Sequence, residues 1–314
     1  SHTIASKVYG QERTVDVFLP EAYSGEDSTR TFVTAYVFDG QFEPYFSMVS
    51  SIMSYYEQTD EGIPMIVVGI HTTNRWDEFI PVQGHAATAE GADRLSEFLR
   101  LEVIPLIETN YRTKPFRVGI GHSLGGTYVI HEMTKDNSLF KAGITASPNL
   151  TIDDEIIIRN AQDFYLRDPK NRRFFHANAG TVGDMENDFR RSLLRLDSIS
   201  RSIALPHMYW NCTIGENLGH MTTFVPCFND GYLALSAKAR LGDEELLRMV
   251  SNGDAALLDA LTAFHEEAGG FLGESQVFGT SEALDHAGTL MRYSKHEQAL
   301  DLYAYAARSL EQDG

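Results

Sequence analysis

The chain is poor in cysteine, with two, Cys212 and Cys227, in 314 residues. A disulfide-stapled scaffold is excluded, and two free thiols are the expected state. Basic residues are also scarce. Lys and Arg number 26 against 44 Asp and Glu, a net charge of -18. Such a surface repels phosphate backbones and anionic headgroups, so nucleic acid and membrane are set aside as partners. No apolar run approaches the ~20 residues that span a bilayer. The zinc-protease pattern H-E-x-x-H is missing. His131-Glu132 is followed by Lys135 where the second histidine belongs, and no metal or cofactor is expected. The sequence opens on Ser1 with no Met and no positive-then-apolar leader. A cytoplasmic location is the expectation, or a periplasmic or secreted one if a leader has been removed.

What is present is enough apolar material for one sizeable core and a smaller attachment, since 43% of the residues are hydrophobic. Thr14–Leu19 alternates apolar and polar residues and stops at Pro20. Phe32–Phe38 and Met65–Ile70 are short, β-branched and bounded by Gly or Asp, which suits buried strands. Further strands are expected at Phe116–Ile120, Ala142–Ala146, Arg173–Ala179 and Met208–Ile214. Between them lie amphipathic stretches. The clearest is Ala92–Thr109, with Leu95, Phe98, Leu99, Val103, Leu106 and Ile107 at helical spacing. Strand and helix in alternation argue for a parallel sheet covered on both faces.

The pattern changes near Leu241. From Gly242 to Gly314 only helices are expected, with a break at Gly269–Gly273 and then a hairpin of Ala283–Tyr293 and Glu297–Leu310. The domains are therefore read as 1–241 and 242–314.

Gly121-His122-Ser123-Leu124-Gly125 spells G-x-S-x-G. Alone it is a modest signal, arising by chance in a chain this long with a probability of about 0.1. Its context is more specific. Arg117–Ile120 before it is strand-like and Thr127–Met133 after it can continue as a helix, which is what a nucleophile elbow requires. The glycines let the backbone cross itself closely and leave Ser123 strained. A serine hydroxyl needs a base within hydrogen-bond reach. In this arrangement the partners follow in the order serine, acid, histidine.

His220 ends the polar, glycine-flanked loop after Met208–Ile214 and is the expected base. His207 and His176 compete, one before a strand and one within it. The acid belongs in the loop Gly180–Asp188. Asp184 is favoured because it follows a turn glycine and comes earliest. Glu186 is the alternative, and Asp188 also qualifies. Two backbone N–H groups form the expected oxyanion hole. One belongs to Leu124, and the other to Gln41 in the turn Asp39-Gly40-Gln41-Phe42, where Gly40 permits the bend. Phe42, Tyr45 and Phe46, and Arg75 and Trp76 after the fourth strand, sit at strand ends and could line a substrate cleft. Arg75 could equally pair with Asp77 or Glu78.

Together these residues resemble the putative-esterase family of α/β-hydrolases. That family includes trilactone siderophore esterases of the enterobactin type, feruloyl esterases and esterase-D-like enzymes. The resemblance runs through Phe18-Leu19-Pro20, Phe38–Gln41, Arg75–Pro81, Glu90–Pro105, Tyr111–Thr113, the G-H-S-L-G-G segment, Ala146–Asn149 and Gly219-His220. It implies a mostly parallel eight-stranded sheet flanked by helices and a cofactor-free serine esterase acting on a small-molecule ester. The tail, Ser281–Leu310, resembles a tetratricopeptide-like hairpin and is a candidate surface for homo-oligomerisation. Two other readings stand beside the esterase: an acyltransferase using the same triad, and a non-catalytic binding protein on a hydrolase fold.

Overall fold

The computed structural model describes every residue except 26, 82–90, 168–171, 204–207, 252–256, 275–277 and 313–314. The chain divides into two compact units, Ser1–Ala234 and Leu235–Gly314. The divide falls inside a helix, Phe224–Ala239, and not after it at Leu241 as the sequence pattern suggested.

The first unit is built on one eight-stranded sheet. In chain order the strands are β1 (His2–Ser6), β2 (Gln11–Phe18), β3 (Phe32–Phe38), β4 (Met65–Ile70), β5 (Thr113–His122), β6 (Ala142–Ala146), β7 (Arg173–Val182) and β8 (Met208–Gly219). Their spatial order is β1-β2-β4-β3-β5-β6-β7-β8. β1 pairs antiparallel with β2, and β2 with β4; every other pairing is parallel. This is the α/β-hydrolase fold. The central strands β3 and β4 are buried along their whole length, which is why they read as continuous apolar runs without alternation. β1 went unread because His2, Thr3, Ala5 and Ser6 surround a single large apolar residue, Ile4; its pairing with β2 supplies what its own pattern lacks.

The helices are α1 (Glu43–Gln58), α2 (Arg75–Phe79), α3 (Gly91–Phe98), α4 (Ile104–Asn110), α5 (Leu124–Met133), α6 (Ile156–Arg167), α7 (Asp184–Ile203) and α8 (Phe224–Ala239). α3 and α4 are joined by a π-helical stretch, Leu99–Val103, so the expected helix of Ala92–Thr109 is one widened run. Pro105 follows that widening; it has no N–H to return to the preceding turn. The core joins Phe38, Phe79, Leu95, Tyr128, Phe140 and Leu193 with the inner faces of the sheet.

In the second unit the described residues beyond α8 form α9 (Asp243–Ser251), α10 (Leu257–Leu272), α11 (Thr280–Arg292) and α12 (His296–Gln312). Ala283, Ala287 and Leu290 on α11 and Ala299, Leu302 and Ala306 on α12 recur every three or four residues and share a core with Leu246 and Leu261. The expected break at Gly269–Gly273 is narrower than the sequence implied. α10 continues through Gly269 and Gly270 to Leu272, and only Gly273 leaves helical geometry, at φ 76°.

Candidate active site

The C-terminal ends of β3, β4, β5, β7 and β8 lead into the turn Asp39–Phe42, Arg75, Ser123, Glu186 and His220, as open α/β sheets arrange their sites. β5 runs into Ser123, which stands at φ 57° and ψ -121°, and α5 begins at the next residue. A strand that turns this abruptly into a helix brings two stretches of backbone together. A Cβ at Gly121 would lie 2.6 Å from the Gly126 nitrogen and closer still to the Gly125 carbonyl, so residue 121 has room for hydrogen alone. Ser123 is pinned by its N–H, which donates to the Ala146 carbonyl at 2.9 Å. Leu124 opens α5, so its N–H has no carbonyl within the helix to bond.

β7 and β8 both extend beyond their expected ends, and Val182 still pairs with Gly219. The supposed loop Gly215–Gly219 is therefore strand, and His220 opens a short 3-10 turn where the strand stops. The His220 Nδ1 lies 2.9 Å from Glu186 Oε2. This corrects the expectation for Asp184. The segment after Gly183 is not a loop; α7 begins at Asp184 itself, with Asp184 facing solvent and Glu186 buried. Two residues along a helix is a rotation of roughly 200°, so the two carboxylates point to opposite faces. Asp188 is exposed as well. Glu186 could have been found from its periodicity, because it shares the buried face of α7 with Phe189, Leu193 and Leu196. His176 is buried in β7 with its ring nitrogen 3.1 Å from the Asn211 amide, away from this pair. His207 lies outside the described residues.

Glu186 is held by more than the histidine. Its Oε1 accepts from the Ser147 hydroxyl at 2.6 Å and the Gly180 N–H at 2.5 Å. Burial pushes this carboxyl up, but the bonds from His220, Gly180 and Ser147 together outweigh it and leave its pKa below the usual value. Ser147, itself at φ 42°, also lies 2.7 Å from the Thr223 hydroxyl. No sequence pattern singled out Ser147 for this task beyond its place in Ala146–Asn149.

On the other side, β3 ends in the turn Asp39–Phe42. The positive φ belongs to Asp39, at 61°, and not to Gly40. Gly40 is needed for a different reason: a Cβ there would lie 2.7 Å from the Gly69 carbonyl carbon in β4. The N–H groups of Gly40 and Phe42 bond to the carbonyls of Ile70 in β4 and Asp39 in the turn, at 2.8 and 2.9 Å, so the amides on either side of Gln41 are both engaged. The Gln41 side chain braces the neighbouring loop by accepting from the Thr72 N–H at 2.7 Å.

Arg75 pairs with neither Asp77 nor Glu78. Its Nε donates to both Asp39 oxygens at 2.9 and 3.1 Å, and an Nη reaches toward the His122 carbonyl at 3.5 Å. The guanidinium thus ties the turn after β3 to the elbow, while its side chain remains 39% exposed. Glu78 instead takes Arg13 in a buried ion pair at 2.6 Å. Burial raises the Asp39 pKa above its usual value, and Arg75 only partly offsets this. Phe42 and Trp76 are exposed, whereas Tyr45 is buried on the inner face of α1 with Val49 and Met53. Its hydroxyl lies 2.6 Å from His122 Nδ1, and the His122 Nε2 lies 2.8 Å from the His220 carbonyl oxygen.

Both cysteines are free thiols, and burial holds their pKa values far above neutrality, to about 12 for Cys212 and higher for Cys227. Neither is a ready nucleophile. Among the described residues no group of three or more His, Cys, Asp or Glu could hold a metal ion, and no helix is long and apolar enough to cross a membrane.

Residues 6–190 match the family model described as putative esterase. The chain belongs to that esterase family. It is a carboxylic ester hydrolase with the α/β-hydrolase fold. Among solved structures, an IroE-like serine hydrolase from Shewanella oneidensis matches with a TM-score of 0.76 at 17% identity, over 100% of this chain and 99% of that one. The siderophore hydrolase EstB from Aspergillus nidulans matches with a TM-score of 0.63 at 17% identity, over 76% of this chain and 94% of its own. A ferulic acid esterase matches with a TM-score of 0.58 at 16% identity, over 75% and 96%. At these identities the likeness is one of fold. A search of curated proteins finds no match to the chain.

Proposed function

We propose that the first unit hydrolyses its ester through an acyl-enzyme, with Ser123 as nucleophile, His220 as base and Glu186 as the acid that orients it. The observation that carries this reading is the 2.9 Å contact of His220 Nδ1 with Glu186 at the sheet edge where the Ser123 elbow opens. A carboxylate on Nδ1 keeps that nitrogen protonated and leaves Nε2 as the basic one. His220 Nε2 takes the Ser123 proton as Oγ adds to the ester carbonyl. The oxyanion faces the backbone N–H groups of Leu124 and Gln41. The imidazolium then returns the proton to the leaving alcohol, and water repeats the sequence to free the acid.

The acyl group is proposed to be apolar or aromatic. Phe42, Trp76, Met185 and Met221 are large, exposed and apolar, and each adjoins a segment that carries the site. Such a rim suits a phenolic or aliphatic acyl chain, with few polar groups to fix its orientation. Structurally similar proteins, a siderophore hydrolase and a ferulic acid esterase, are compatible with this class. A panel of p-nitrophenyl, feruloyl and trilactone esters, with a fluorophosphonate label, tests the reading. The label is expected on Ser123, and Ser123→Ala is expected to lose about 10⁶-fold in kcat while melting as the wild type does. Wild-type turnover by Ser123→Ala would overturn it.

A further inference from the structure

One bonded chain at the site has no part in the steps above. It starts at Tyr45 on α1, passes through His122 beside the nucleophile, and ends on the main chain of His220. Counting protons fixes its direction. The His220 carbonyl can only accept, so His122 donates to it from Nε2, at 2.8 Å. The His122 Nδ1 is then bare and accepts from the Tyr45 hydroxyl, at 2.6 Å. The Thr223 hydroxyl also donates to the His220 carbonyl, at 2.8 Å, and it lies 2.7 Å from the Ser147 hydroxyl. Ser147 has one proton and donates it to Glu186. The His220 carbonyl thus accepts on both lone pairs, from His122 Nε2 and from the Thr223 hydroxyl.

The packing agrees with that direction. His122 and His220 rings lie 4.4 Å apart, and the Tyr45 ring rests on Phe224 at 4.5 Å and Phe42 at 4.9 Å. His122 is buried, and burial, with His220 and Arg75 nearby, lowers its pKa to about 4. It stays neutral near pH 7 and adds no positive charge when His220 gains one. Three chain segments meet in this relay: the helix after the β3 turn, the elbow and the 3-10 turn that His220 opens.

We propose that Tyr45 and His122 are positioning residues that set the placement of the His220 imidazole by gripping its own backbone carbonyl. Glu186 fixes the ring from one side, and the relay fixes the main chain that carries it. The proposal rests on the Ser123, His220 and Glu186 assignment. Misplacement by about 1 Å costs on the order of 10²-fold in such chemistry.

The test compares kcat and KM for a p-nitrophenyl ester across variants of the full chain. His122→Phe keeps an aromatic ring and removes both bonds; kcat is expected to fall about 10²-fold with KM little changed. In His122→Gln the amide can reach the His220 carbonyl, and kcat is expected to recover to within about tenfold of wild type. His122→Asn is too short to reach and should not recover. Tyr45→Phe removes one oxygen and is expected to lower kcat by about three- to tenfold. Wild-type kcat in His122→Phe, or no gain from Phe to Gln, overturns the proposal. Where His122→Phe shows no folded melting transition, Tyr45→Phe decides, and an unchanged kcat there overturns it. Ser123→Ala and Glu186→Gln run alongside. If either turns over like wild type, the triad itself falls. If both are inactive while the residue 122 variants are normal, only the positioning role falls.

Discussion

Glu186, in the first turn of α7, and Asp39, in the turn after β3, are both buried carboxylates beyond the ends of parallel strands, yet their surroundings push them in opposite directions. Glu186 receives a serine hydroxyl, a backbone N–H and an imidazole, and its pKa falls below the usual value despite burial. Asp39 receives the Arg75 Nε and a long bond from the Gln41 amide at 3.3 Å, and burial prevails. Burial alone does not decide the charge of an interior acid; the number and quality of its donors do. In the proposed roles, the carboxylate that faces the imidazole is the firmly ionised one. The carboxylate in the turn after β3 is the one whose charge is less secure.

The largest effect that could break this contrast lies at α7. Glu186→Gln is expected to lower kcat by about 10⁴-fold, while Asp184→Asn stays within about twofold of wild type. Steady-state assays of the two variants decide it, and the reverse order would return the acid to Asp184. The next effect extends the contrast to buried imidazoles. His176 and His122 both have pKa values lowered to about 4, with burial as the main cause. The unfolded chain then binds more protons than the folded one between about pH 6.5 and 4, so stability is full above that window and declines as pH falls through it. Each such histidine contributes a loss on the order of 3 kcal/mol across the window. Urea melts from pH 7 to 4 should show the decline, and His176→Gln should make it shallower without changing kcat at pH 7.

The smallest effect concerns the Arg75–Asp39 pair. Arg75→Gln leaves a buried carboxylate without its cation and is expected to destabilise by about 2 kcal/mol. Asp39→Asn leaves a cation that already reaches solvent, and about 1 kcal/mol is expected. Equal losses in chemical denaturation would show that Asp39 is better solvated than its burial implies.

Much of this architecture is legible along the chain. The alternation of β-branched runs with amphipathic helices gives the parallel part of the sheet, and the glycine spacing around Ser123 gives the elbow. His220 is marked by its place after the last strand. The misreadings share one cause. Asp184 stands out in sequence because a segment rich in Gly, Asp and Asn looks like a loop, whereas the helix already starts there and its period buries Glu186. Arg75 has acidic neighbours two and three residues away, but its partner is 36 positions back, in a turn that meets it only when β3 and β4 pair. Tyr45 and His122 are 77 positions apart. Nothing local distinguishes a tyrosine that grips a histidine from one that fills a core.

The crossing of β5 and α5 carries one more consequence. At Gly121 the two backbones leave no space for a methyl group, so the bend is defined by what surrounds residue 123 and not by what that residue carries. The geometry that thrusts the hydroxyl outward would present a sulfhydryl equally well. Exchanging the reactive atom thus requires no rebuilding of the scaffold, whereas adding a single carbon two positions earlier forces strand and helix apart.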